Sequence, residues 1–228
     1  MSVEPHVIAV DLDGTLYDGR TAHEEAIDTL RHARDAGHTV VIVTGRPGRD
    51  LDGIVPTLVE IAACAVCEDG AVLIDLSTAA AVLLAEPPPR ALIDALEARG
   101  VVGLVVAEVA IGMPVEHAEI ARQVVQEIGA GYHLVHNKNS VAIIPDGCHK
   151  GTGLAHAIAH LGLSGAPVLA IGDAANDLPM FRFADIAVAV ANADAPVRDA
   201  GIELTELPGG AGVAQAIRRY LALTVRAG

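Results

Sequence analysis

Apolar residues along this chain fall into two rhythms. Unbroken apolar runs at Val7–Val10, Thr39–Val43, Ile61–Cys67, Val168–Ile171 and Ile186–Val190 lack helical spacing and read as buried strands. Between the first two, Glu24–Ala36 carries Ile27, Leu30 and Ala33 or Arg34 at three- and four-residue spacing, which predicts an amphipathic helix closed by Gly37. Pro47 suits the first turn of the next crossover helix. Ala71–Asp75 and Ala81–Ala85 read as a hairpin, and Lys150–His160 and Gly210–Leu223 as further helices. Strands alternating with helices at these lengths predict an α/β fold, a parallel sheet with helices on its faces.

One stretch breaks the alternation. Glu86-Pro87-Pro88-Pro89 is stiff and extended and suits a linker. Beyond it a helix (Ala91–Ala98) and two strands (Val101–Val106, Val109–Ile111) are followed by a second helix (His117–Ile128) and two more strands (Tyr132–His136, Val141–Ile144). This internal repeat predicts a four-stranded sheet with both helices on one face. The expected organisation is a core split into residues 1–85 and 147–228 around a small α+β insert at 86–146.

Every informative polar cluster follows a strand. Asp11 and Asp13, two apart at the end of the first, present both carboxylates on one side. Thr44-Gly45-Arg46 follows the second, and Gly172-Asp173-Ala174-Ala175-Asn176-Asp177 follows the fourth. Lys150 opens a helix, where a cation opposes the macrodipole and calls for a compensating anion. In open parallel sheets ligands bind at the carboxyl ends of the strands. Four carboxylates and a lysine there suit a hard cation held together with an anion, as magnesium and phosphate would be. Arg46 either reaches substrate or pairs with an acid of the sheet edge; contact with substrate is the expectation.

Composition narrows the function classes. With 52% hydrophobic and 19% charged residues among 228, the chain has enough apolar surface for a core, while 2% aromatics make that core aliphatic. A formal charge of −14 argues against nucleic acid or an anionic membrane as a standing partner and suits a protein that gathers divalent cations. No signal peptide is evident, and the most apolar window, Val101–Val115, is interrupted by Glu108 and Pro114, so a cytoplasmic location is expected. Cys64 and Cys67 form a CxxC without a second pair and read as buried thiols in a strand. His156 and His160, four apart without a third ligand, read as a partly exposed helix face.

Taken together, Asp11-Leu12-Asp13-Gly14-Thr15, Thr44-Gly45-Arg46, the lysine of His149-Lys150-Gly151 and Gly172-Asp173-Ala174-Ala175-Asn176-Asp177 resemble the four motifs of the haloacid dehalogenase superfamily of phosphatases. The insert is similar to the smaller cap of its Cof-like, sucrose-phosphatase-like and archaeal phosphoglycolate-phosphatase-like members. That resemblance implies a Rossmann-like core and hydrolysis of a small phosphorylated metabolite through an aspartyl phosphate. It implies Asp11 as nucleophile, Asp13 as general acid and base, and Thr44, Gly45, Arg46, Lys150 and Asn176 as contacts to substrate. Mg2+ would sit on Asp11, the Asp13 carbonyl and Asp173, with Asp177 in or near that shell. A phosphomutase or a catalytically silent binding module of the same fold are the alternatives. Asp69 departs from the asparagine usual before Gly70-Ala71.

In the predicted strand pair Val101–Ile111, alternation groups Leu104, Val106, Glu108 and Ala110 on one face and Val105, Ala107, Val109 and Ile111 on the other. Glu108 marks the first set as the roof of the site. There it is expected to help select the leaving group by rejecting strongly anionic ones.

Overall fold

A computed structural model describes residues 6–54, 56–128 and 131–221. The element order is β1 (Val7–Asp11), α1 (Glu24–Asp35), β2 (Thr39–Val43), α2 (Leu51–Ile54), α3 (Pro56–Ile61), β3 (Cys64–Cys67), β4 (Val72–Asp75) and β5 (Ala80–Leu83). The insert follows with α4 (Arg90–Ala98), β6 (Val105–Val106), β7 (Ile111–Pro114), α5 (Ala118–Ile128), β8 (Tyr132–Asn137) and β9 (Ser140–Pro145). The chain closes with α6 (Lys150–His160), β10 (Val168–Gly172), α7 (Leu178–Phe183), β11 (Ile186–Ala189), α8 (Ala195–Asp199), β12 (Glu203–Leu204) and α9 (Gly209–Leu221). Of the helix expected over Gly210–Leu223, residues 222 and 223 lie outside the described residues.

The larger sheet has the order β12-β11-β10-β1-β2-β3-β4-β5, parallel from β12 to β3 and antiparallel across β4 and β5. Alternation along β1 sends Ile8 and Val10 to one face, against Leu30 of α1 and Ile217 of α9, and Val7 and Ala9 to the other, against Leu154 and Ile158 of α6. Because β1 is central, all five of its residues are buried, which is why it reads as an unbroken apolar run.

The second sheet, β6-β7-β9-β8, is antiparallel. Ile111, Met113, Val141 and Ile143 turn toward α4 and α5, where Leu92, Leu96 and Val124 complete a separate aliphatic core. The opposite face carries the row Val105, Gly112, Ala142 and Val135 across all four strands and looks onto the larger sheet's strand ends.

Three expectations shift. Ile61 belongs to α3 rather than β3, and Ala62 N–H still donates to Leu58 O, so a helical turn claims the start of that apolar run. Val101 N–H returns to Leu96 O as a helix stop, and Gly103 has a φ of +71°, so β6 begins only at Val105. The hairpin then turns over residues 107–110, closed by Ala107 N–H to Ala110 O. Val105 therefore lies on the cleft face, opposite to its predicted side. Among the described residues no helix is long and apolar enough to cross a membrane.

Candidate active site

Asp11 ends β1, and Gly14 turns the chain back with a φ of +88°. A Cβ at Gly14 would fall 2.3 Å from both Asp173 Oδ2 and Lys138 Nζ, so the turn and the approach of both side chains require glycine. Lys150, the first residue of α6 and 1% exposed, runs back to give Nζ to Asp11 Oδ1 at 2.7 Å and to Asp177 Oδ1 at 2.6 Å. These carboxylates are the anions its position against the helix dipole called for. Asp177 Oδ2 in turn accepts the N–H groups of Asp173 and Ala174 at 2.8 and 3.0 Å, which fixes the loop after β10.

Asp11, Asp173 and Asp177 each offer a carboxylate oxygen within 4.8 Å of the others, and all three are buried. Burial raises the Asp11 carboxyl well above its ordinary range, with Asp177 adding to it and Lys150 opposing. Burial likewise raises Asp173, against the pull of Lys138. For Lys150 burial works against the ammonium, but Asp11, Asp177 and Asp69 override it and hold its pKa above the ordinary lysine value. The cluster is short of positive charge. Nearby, the buried Asn176 Oδ1 has no hydrogen-bond partner, while its Nδ2 donates to Asp69 Oδ1 at 2.9 Å. Surplus carboxylates with an unpartnered carbonyl oxygen beside them are a donor set that fits a hard, oxygen-seeking cation such as Mg2+.

Arg46 pairs with an acid of the sheet edge while also lining the cleft. Its Nε and Nη2 donate to Asp13 Oδ2 and Oδ1 at 2.7 and 2.6 Å, and its guanidinium lies 5.5 Å from the centre of the Tyr17 ring. Thr44 is fully buried, with its N–H on Val66 O and its Oγ1 accepting the Arg46 N–H at 3.1 Å. Gly45 and Asp69 line the same cleft, a space of about 650 Å³ roofed by Val105, Gly112, Val135 and Ala142.

Glu108 is displaced from the place expected of it. The turn over residues 107–110 docks on the core, where buried Glu68 accepts the N–H of Glu108 at 3.2 Å on Oε1 and those of Val109 and Ala110 at 2.8 Å each on Oε2. With its backbone so captured, the exposed Glu108 lies in a separate outer groove with Arg49 and Leu83. The charge of the insert that does enter the cleft is Lys138, in the turn joining β8 to β9, whose Nζ donates to Asp173 Oδ2 at 2.6 Å. Sequence reasoning missed both Lys138 and Glu68. One signal for Lys138 was available: it and Lys150 are the only lysines in the chain.

The family model of haloacid dehalogenase-like hydrolases matches residues 8–101 and 113–217. A phosphoglycolate phosphatase of Methanothermobacter thermautotrophicus is 32% identical over 222 residues, covering 94% of this chain and 98% of that protein. A 5-amino-6-(5-phospho-D-ribitylamino)uracil phosphatase of Bacillus subtilis is 27% identical over 272 residues, covering 98% and 100%. In fold, the chain is similar to a haloacid dehalogenase-like hydrolase from Bacteroides thetaiotaomicron, with a TM-score of 0.79 at 19% identity over 95% of this chain and 99% of that one. With most of its length matched by the family model, the chain belongs to the haloacid dehalogenase-like hydrolases.

Proposed function

We propose that the protein is a Mg2+-dependent phosphatase of small phosphate monoesters, of the phosphoglycolate or sugar phosphate class, in which Asp11 carries the phosphoryl group between two half-reactions. The observation that supports this most is the sharing of one enclosed ammonium, Lys150, by Asp11 and Asp177, with Asp173 in reach of both. The phosphatase names of the relatives that span nearly the whole chain support it independently.

An Asp11 oxygen attacks phosphorus while the ester bond breaks. Asp13 gives its proton to the departing oxygen. In the second half, Asp13 takes a proton from the water that attacks phosphorus and releases Asp11 with inorganic phosphate. Arg46 meets both Asp13 oxygens and so places that carboxyl in the cleft; one of the two contacts opens as substrate binds, which frees that oxygen to carry the proton. The Thr44 hydroxyl already accepts from Arg46, which leaves its proton for a phosphoryl oxygen. Lys150 holds Asp11 against the cost of burial. Asp11, the Asp13 carbonyl, Asp173 and Asp177 would hold Mg2+, which supplies neutralisation of charge on the transferring group. Asn176 and Gly45 complete the surroundings of the phosphate. In this reading residues 86–146 act as a cap on the core formed by 1–85 and 147–228.

The test is release of inorganic phosphate from an aryl phosphate and from a panel of phosphorylated metabolites, with metal-stripped protein and after Mg2+ is restored. Release that depends on added Mg2+ is expected. Full release without metal would refute the reading.

A further inference from the structure

Only two of the 15 Lys and Arg residues are lysines, and the fold brings both ammonium groups onto one acid cluster. Lys150 is enclosed and doubly paired. Lys138 belongs to the cap, and its side chain stays 44% exposed. It is the first of the two residues between the paired Asn137 and Ser140, with a φ of +49°. Glycine or asparagine is the usual choice there, because a longer side chain strains a backbone of that hand. Backbone strain at a residue whose side chain reaches a catalytic cleft points to a role for that side chain.

Asp173 is a weaker partner for it in a loaded enzyme. Once a divalent cation shares the Asp173 carboxylate, an ammonium 2.6 Å from Oδ2 meets a like charge. Two of the other acids lining the cleft are committed elsewhere, Asp13 gripped by Arg46 and Asp69 accepting from Asn176, and the charge of the third, Asp50, acts on Arg46. The roof row of Val105, Gly112, Ala142 and Val135 is apolar and small at its centre, so it offers space but no countercharge. The anion left for Lys138 is one that the substrate brings on the portion lying under the cap.

We propose that Lys138 is a specificity-determining residue: released from Asp173 when the acid cluster holds a cation, its ammonium pairs with an anionic group on the leaving portion of the substrate. Esters of small anionic alcohols are then favoured over neutral ones, a carboxylate and a second phosphate being alternative sources of that anion. This rests on the phosphatase reading above and reverses the selectivity expected of Glu108.

Kinetics of the wild type, Lys138→Met and Lys138→Arg on an aryl phosphate, a phosphorylated short hydroxy acid and a bisphosphate test it, with thermal melts to establish folding. Lys138→Met should lower kcat/KM on an anionic ester about tenfold more than on the aryl ester, chiefly through KM, and Lys138→Arg should restore part of the difference. Whichever anionic ester suffers more identifies the anion. Apart from turnover, calorimetric titration of the substrate-free protein should show Lys138→Met binding Mg2+ about threefold or more tightly, since the competitor for Asp173 is gone. Equal losses on all three esters, or unchanged Mg2+ affinity, overturns the proposal and leaves the phosphatase reading standing. No hydrolysis of any ester by the wild type with Mg2+ overturns the reading beneath it.

Discussion

Glu68 and Val109, one at the end of β3 and the other at the tip of the β6–β7 turn, are joined by a 2.8 Å hydrogen bond from the Val109 N–H to the Glu68 carboxylate. Glu108 and Ala110 donate to the same side chain, so a buried charge is solvated by three successive cap amides. Glu68 and Asp69 both have left-handed backbone, with φ of 53° and 52°, and their N–H groups are tied to Arg46 O and Thr44 O. One strained turn therefore anchors the cap and sets Asp69 in the cleft.

Glu68→Gln replaces one acceptor oxygen by a donor that faces other donors. A loss of about 1–3 kcal/mol in stability is expected, read from urea unfolding midpoints against the wild type. An unchanged midpoint would mean that the cap amides find other partners without cost.

Asp11→Asn should abolish phosphate release, by about a thousandfold or more, while the protein stays folded. Burial and Asp177 already disfavour the Asp11 charge, and Lys150 keeps Asp177 as a partner. The thermal midpoint of the metal-free variant should therefore equal or exceed that of the wild type. Asp13→Asn should likewise lose turnover and keep the fold. Near-normal turnover by folded Asp11→Asn, with deamidation excluded by mass, contradicts the mechanism.

Asp75 accepts hydrogen bonds from Ser77 Oγ at 2.6 Å and His160 Nε2 at 2.8 Å, which hold its carboxyl below the usual carboxylate range. A folded-state pKa below the unfolded one, which is near 4, gives stability that is complete above about pH 5 and lost as the pH falls through the folded value. The stability difference between wild type and Asp75→Asn should be constant at neutral pH and shrink below about pH 4. A difference that is undiminished at about pH 2 would exclude Asp75 as its source.

The three thiols should be silent in the native protein. Burial pushes Cys67 up to about 12 and Cys64 up to about 11, and raises Cys148 as well. A disulfide reagent at pH 8 is expected to titrate none of them until the chain is unfolded, then all three. Rapid labelling of one thiol in native protein would show that its strand opens locally.

The larger sheet was readable because burial on both faces writes strands such as β1 and β2 as unbroken apolar runs, and the acids stand where those runs stop. β12 was not, because two residues at a sheet edge, Glu203 and Leu204, leave no periodicity. In the cap, the helix–strand–strand repeat was visible, but the register of β6 and β7 was not. A turn of four residues and one of two produce the same apolar stretch, and Glu68, some forty positions away, decides between them. Lys138 was overlooked for a related reason: nothing local to Asn137-Lys138-Asn139 records that the turn closes over Asp173.

The scarcity of lysine also sets how this protein meets amine chemistry. Both lysine side chains end on Asp11, Asp173 or Asp177, and one of them is sealed from solvent. An acylating agent that collides with the folded molecule at random thus finds, among its side chains, a single open amine, and that amine hangs over the cleft above the acid cluster. Acylation there would discharge the cap's one cation on Asp173 and add bulk to the roof. A modification that is usually scattered and harmless on a protein surface becomes here a single-hit event at the candidate active site.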